Sequence, residues 1–197
     1  MEEIKQIIDI EASAIKNIPV NDSFTKAIEL LYQQVHVKGG KLITSGMGKA
    51  GQIAHNISTT FSSTGTPAVF LHPSEAQHGD LGILRENDVM LLISNSGKTR
   101  EILELIQLKE NLVPGTKIIV ITSNPESELG KLADVVIATG NPPEVCPLDL
   151  SPTTSTTTMT VIGDILVVLL MKKINFTKED YAKRHHGGYL GEKSRMK

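Results

Sequence analysis

The chain has 197 residues, and 20 Lys and Arg against 22 Asp and Glu leave a net charge of −2, so nothing electrostatic favours a nucleic-acid partner. The three Tyr, four Phe and absent Trp offer no base-stacking platform, and 40% hydrophobic with 21% charged residues is the balance of an ordinary globular chain with a sizeable core. The one cysteine, Cys146, excludes an internal disulfide, fits a reducing compartment and reads as an inert buried thiol.

In chain order, Ile4, Ile7, Ile8, Ile10 and Ile15 predict an acidic amphipathic helix rather than a signal peptide. Asn21-Asp22-Ser23 offers an N-cap for a second helix, with Ala27, Ile28, Leu31 and Val35 on one face and Gly39-Gly40 as its stop. Lys41–Thr44 reads as a short strand, Ser45–Gly51 as a Gly-rich turn, and Gln52–Ser63 as a helix broken by Gly65-Thr66-Pro67. Ala68–Leu71 is a second strand, followed by a polar, His-bearing loop from His72 to Gly82. The apolar run from Val89 up to Ser94 has the pattern of a strand buried on both faces, and a helix follows to about Leu112. Pro114-Gly115 is a turn, Lys117–Thr122 a fourth strand, Ser123–Ser127 a cap before a helix, and Asp134–Ala138 a fifth strand. An irregular segment, Asn141–Pro152, leads into a long helix from Pro152 through Met171, and a short one spans Thr177–Arg184 before His185-His186-Gly187-Gly188 and a basic tail. The apolar run Met159–Met171 is too short to span a bilayer and is interrupted by Gly163 and Asp164, so no membrane partner and a cytoplasmic location are expected.

Strands alternating with helices predict an α/β fold, a three-layer αβα sandwich around a five-stranded parallel sheet. Its expected parts are N-terminal helices over 1–38, an α/β core over 41–173, and a C-terminal helix with its His-Gly tail over 177–197. Ligands of such sheets bind beyond the carboxyl ends of the strands, where the loops after strands one, three and four are all polar and rich in small residues. Ser94-Asn95-Ser96-Gly97-Lys98-Thr99 packs hydroxyls, an amide and a Gly into a strand-to-helix bend, the chemistry of a phosphate cradle, although the same residues also suit simple helix capping. Gly46-Met47-Gly48-Lys49-Ala50-Gly51 has the G-x-G-x-x-G form, but the next strand ends Phe70-Leu71-His72 without the acid a dinucleotide ribose needs. Ala50 also stands where a nucleotide P-loop needs Ser or Thr, so a small phosphosugar fits better. No spaced Cys/His cluster suggests a metal.

The segments SGMGKAG, TGTPAVFLHPSEAQHGDLG, ISNSGKTREI, CPLDLSPTTSTT and HHGGYLG resemble, in order, the sugar isomerase (SIS) domain of arabinose-5-phosphate isomerases, from about Leu42 to Gly191. The resemblance implies a flavodoxin-like fold and interconversion of D-ribulose 5-phosphate with D-arabinose 5-phosphate through an enediolate, feeding Kdo and lipopolysaccharide synthesis. It implies a homotetramer with active sites shared between subunits, and no cofactor. Many relatives carry a CBS pair after this domain; its absence here suggests inhibition by CMP-Kdo at the active site. The resemblance implies catalytic roles for Lys49 (charge stabiliser), Glu101 (base), Glu144 and His185, and substrate contacts from Ser45, Gly46, Gly65, Thr66, His72, His78, Ser94, Asn95, Ser96 and Thr99. Each has a blander reading: a solvated lysine, a first-turn acid that favours the helix dipole, a loop acid, a C-terminal histidine. His36 and His55 read as structural. His186 departs from the family's HPGG, leaving open whether His185, His186 or His78 opens the ring. A non-catalytic phosphosugar-binding regulator, a dinucleotide-binding protein and an isomerase for another sugar phosphate remain the alternatives.

Overall fold

The computed structural model describes residues 1–195, so the last two residues of the basic tail lie outside it. Five strands form one sheet in the order β2-β1-β3-β4-β5. They are β1 (Leu42–Gly46), β2 (Ala68–Phe70), β3 (Val89–Ile93), β4 (Lys117–Thr122) and β5 (Val135–Ala138), and every pairing is parallel. In register, Leu42 and Lys117 flank Val89, so all five carboxyl ends meet along one edge. The order reverses between β1 and β3, which makes that point the crevice of the flavodoxin-like arrangement.

Alternation along the strands builds two cores, because successive side chains leave opposite faces. Val89, Leu91 and Ile93 join Ala54, Ile57, Phe61, Met159, Ile162 and Leu166 on one face, while Met90 and Leu92 join Ile102, Leu105 and Ile106 on the other. The first face is covered by α2 (Asp22–Leu31), α3 (Gly48–Ser63) and α7 (Thr154–Lys173), with α1 (Glu2–Lys16) packed against α7. The second is covered by α4 (Pro73–Ala76), α5 (Arg100–Leu112) and α6 (Glu128–Lys131). Asn21 caps α2 by accepting from the Ser23 amide at 2.9 Å. That helix continues as a π-helical segment, Tyr32–Val37, which stops before Gly39 with its φ of +78°.

Several boundaries shift from those the sequence suggests. The third helix begins at Gly48 rather than Gln52, because the Gly-rich turn itself winds into the first turn. The polar loop after β2 contains α4 and a 3-10 turn, Asp80–Ile83. The long helix runs over 20 residues, so it is long and apolar enough to cross a membrane by length and composition; half of its most apolar window is nonetheless buried inside the fold, where it packs on α3. The final helix is shorter, α8 (Lys178–Ala182), and the tail forms a further helix, α9 (Gly188–Arg195), which no apolar periodicity announces.

Candidate active site

The carboxyl edge is built from the loops that follow β1 to β5. Ser45, fully buried near the end of β1, donates its hydroxyl to the Leu71 carbonyl at 2.7 Å, joining the β1 and β2 ends and committing its proton there. Gly46 closes β1, and Lys49 lies exposed in the first turn of α3, at the helix N-terminus where an anion is favoured. His72 follows β2, half-buried, with Nδ1 buried and unpartnered and its ring edge-on to Phe70 at 6.3 Å. His78 is exposed in the same loop, which is held against α5 by Gln77 donating to Glu104 at 2.9 Å.

The bend after β3 is the most constrained part. The Ser94 and Thr99 hydroxyls lie 2.7 Å apart, and Ser94 Oγ also accepts from the Gly97 amide at 3.2 Å. The Asn95 carbonyl accepts from the Ser123 amide at 3.0 Å, its hydroxyl at 2.8 Å and the Thr122 hydroxyl at 3.0 Å, which locks this bend to the loop after β4. Gly97 has φ +65°, and a Cβ there would stand 1.9 Å from Ser127 Oγ, so both backbone and space require glycine. Ser96 and the Asn95 side chain remain exposed above the bend. Thr99 precedes α5 as its N-cap residue but makes no side-chain cap bond; its hydroxyl is turned to Ser94 instead. The unpaired amides of the first turn of α5 therefore share this spot with two small hydroxyls, an arrangement suited to a phosphate. Glu101, half-buried, stands in that same first turn.

Glu144 belongs to the loop after β5. Its Oε2 accepts from the Thr153 amide at 2.7 Å, the Thr153 hydroxyl at 2.9 Å and the Ser155 amide at 3.3 Å, so it pins the loop to the start of α7. Burial pushes its pKa up, but the polar groups of Ser155 and Thr153 outweigh this and hold the carboxyl below its ordinary value. Two residues on, Cys146 is only half-buried. The backbone groups of Leu150, Ser151 and Leu148, with the Ser151 side chain, lower its thiol to about 7, so the inert, buried reading is corrected to a partly ionised thiol near the loop tip.

The structure thus brings Ser45, Gly46, Lys49, His72, His78, Ser94, Asn95, Ser96, Thr99, Glu101 and Glu144 to one edge of the sheet. It does not bring Gly65, Thr66 or His185 there within one chain. Gly65 and Thr66 precede β2 and so open at the amino edge, where the buried Thr66 hydroxyl lies 3.0 Å from His36 Nε2 and a Cβ on Gly65 would meet Phe176 at 2.7 Å. His185 lies beyond α8, stacked on Tyr181. His36 has its pKa lowered by burial, and His55 is exposed on α3 with its ring 5.4 Å from that of Phe70. A polar cleft of 380 Å³ beside the bend is lined by Ser96, Lys98, Ser123, Asn124 and Asn141. Of these only Ser96 stands out from sequence; Ser123-Asn124 reads there as a cap, and only its position at the end of a neighbouring parallel strand reveals a second use.

A parallel sheet with a hydroxyl-lined bend at its switch point defines a flavodoxin-like α/β fold with a candidate phosphate site, and comparison with known proteins makes the family specific. Residues 36–169 match the family model described as SIS domain, and the chain belongs to the SIS domain family. Among curated relatives, arabinose 5-phosphate isomerase KdsD of Yersinia pestis is 47% identical over 192 residues, covering 96% of this chain and 56% of the relative. The enzyme of the same name from Escherichia coli K12 is 44% identical over the same length, so the chain spans a little over half the length of the curated relatives it matches. A crystal structure from Bacteroides fragilis, to which a phosphosugar-isomerase role in capsule formation is ascribed, is 67% identical with a TM-score of 0.94, covering 95% of this chain and 98% of that one. The E. coli CFT073 protein c3406 in complex with arabinose 5-phosphate is 34% identical with a TM-score of 0.86, covering 92% and 95%.

Proposed function

We propose that this chain is an aldose–ketose isomerase interconverting D-ribulose 5-phosphate and D-arabinose 5-phosphate. The observation that carries the reading is the Ser94–Thr99 hydroxyl pair at the N-terminus of α5 with Glu101 in the same turn. A phosphate held at the bend fixes how far the sugar reaches along that turn, so binding energy orients C1 and C2 for proton transfer. Glu101 removes the C2 proton of the aldose and returns it to C1, through an enediolate. Lys49, one loop away across the switch point, stabilises the developing oxygen charge. Glu144, with its charge committed to the start of α7, shapes the loop rather than taking the proton. Asn95, Ser96, His72 and His78 surround the sugar phosphate, while the buried Ser45 and Gly46 form the strand end beneath it. Gly65 and the buried Thr66 stand away from the bend, against Phe176 and His36, and His185 is assigned to the site of a neighbouring copy in a homotetramer with shared sites. The names of relatives 42–47% identical over nearly the whole chain, and a structural relative in complex with arabinose 5-phosphate, support the five-carbon substrate. The chain then acts in the cytoplasm, feeds Kdo and lipopolysaccharide synthesis, and is inhibited by CMP-Kdo; unchanged rates at saturating CMP-Kdo would remove that last point.

A panel of five- to seven-carbon sugar phosphates, assayed with and without chelator, tests the reading. Arabinose 5-phosphate and ribulose 5-phosphate are expected to turn over fastest, with exchange of the C2 proton into deuterated water. Tight binding without turnover or exchange would make the chain a phosphosugar sensor instead.

A further inference from the structure

Three histidines stand as candidates for moving protons between the sugar oxygens, and the structure treats them differently. His78 and His186 are exposed. His185 is half-buried, and its ring lies 3.7 Å from the Tyr181 ring at 7° from parallel. Its Nδ1 is 3.0 Å from the Tyr181 carbonyl oxygen, the same oxygen that accepts from the His185 amide at 3.1 Å. That oxygen also accepts from the Arg184 amide at 3.0 Å; because a carbonyl oxygen only accepts, a hydrogen bond at this contact requires Nδ1 to carry the hydrogen. In the neutral ring the lone pair then belongs to Nε2, on the far side of the ring from that carbonyl. Upstream, Tyr181 is fixed by a full capping box: Thr177 accepts from the Asp180 amide at 3.1 Å while Asp180 accepts from the Thr177 amide at 3.2 Å. Ring plane, tautomer and the element beneath them are therefore all set by local contacts.

We infer that Tyr181 is a positioning residue whose ring holds the His185 imidazole in the plane that keeps Nδ1–H on the Tyr181 carbonyl, so that Nε2 is the atom offered to the sugar. The inference rests on the isomerase reading. There, His185 Nε2 of one copy takes the O2 proton of the enediolate bound by its neighbour and delivers it to the charged O1, while Glu101 carries the carbon-bound proton from C2 to C1; the imidazole ends as it began and no net proton is gained. A ring free to rotate about its side-chain bonds would present Nε2 for only part of the time, which is the cost that the stack removes.

The test uses the full chain. Long-range ¹H–¹⁵N correlation spectra, with the His185 signals assigned by their loss in His185→Gln, read the tautomer directly. The unsubstituted chain and Tyr181→Phe, which keeps the aromatic face, are expected to show the Nδ1–H form and similar turnover. Tyr181→Leu is expected to mix the tautomers and to lower kcat by about 10- to 100-fold, the scale of a misplaced group, with KM changed less than about twofold. An Nε2–H form in the unsubstituted chain would overturn the inference without any variant, as would a Tyr181→Leu chain that keeps both tautomer and rate. If the tautomers behave as expected but no sugar phosphate turns over, the isomerase reading fails and the positioning of His185 stands.

Discussion

Glu144 shows how one carboxylate holds a loop. Its depressed pKa means that the unfolded chain binds this proton more readily than the folded one, so stability rises with pH through the window between the two values. The contribution is complete above the ordinary glutamate value of about 4.3 and is lost as pH falls through the lower, folded one. Glu144→Gln keeps the shape and an acceptor but not the charge. The melting temperature of this variant should therefore lie furthest below that of the unsubstituted chain near neutral pH, and the gap should close on acidification; a gap constant from pH 7.5 to pH ~3.5 would separate Glu144 from the start of α7. Side-chain chemistry was only partly legible beforehand. Hydroxyls at the β3 bend announce themselves by type and position, because a strand followed by Ser, Ser, Gly and Thr before a helix has few uses. The lowered thiol of Cys146 does not, since it arises from backbone groups two, four and five residues further on that a turn folds back onto the sulfur.

The elements explain why the bend is rigid. β3 lies between β1 and β4, its residues are fully buried, and its loop is bonded to the loop after β4 through the Asn95 carbonyl and the Leu129 amide on the Gly97 carbonyl at 3.2 Å. Gly97→Ala would place a methyl group against Ser127 and demand a left-handed backbone from alanine. Left-handed backbone and overpacking each cost on the order of 1–3 kcal/mol. We expect a loss of at least about 2 kcal/mol in urea unfolding together with weakened phosphate binding. A variant of unchanged stability would show that the loops relax independently. The five strands were readable because each is an apolar run between turn signals, and strand alternation decided which residues share a core. Helix α9 was not, since Gly188–Arg195 has a lone buried residue, Gly191, and forms by packing on α8 rather than by burying a stripe. The winding of Gly48 into α3 was hidden for a related reason: Gly at φ +56° looks like a turn residue until the helix that it opens is seen.

Across the whole molecule, three of the residues expected at the site stand apart from it. Parallel topology places any turn that precedes a strand at the amino edge, so Gly65 and Thr66 stand opposite the bend, and His185 stands beyond α8. The exposed isoleucines of α1, among them Ile4 at 57% and Ile8 at 59%, belong to the same picture of a chain with apolar surface still uncovered. In the proposed function a single chain supplies the anchor and the base, and these are tested most directly by Glu101→Gln. The substitution keeps size and hydrogen-bonding shape while removing the proton acceptor. If the sugar phosphate is held at the Ser94–Thr99 bend beneath this carboxylate, turnover of arabinose 5-phosphate and C2 proton exchange should fall by about 10²- to 10⁴-fold while the dissociation constant stays within about threefold. A Glu101→Gln chain that isomerises and exchanges at the unsubstituted rate would contradict the account.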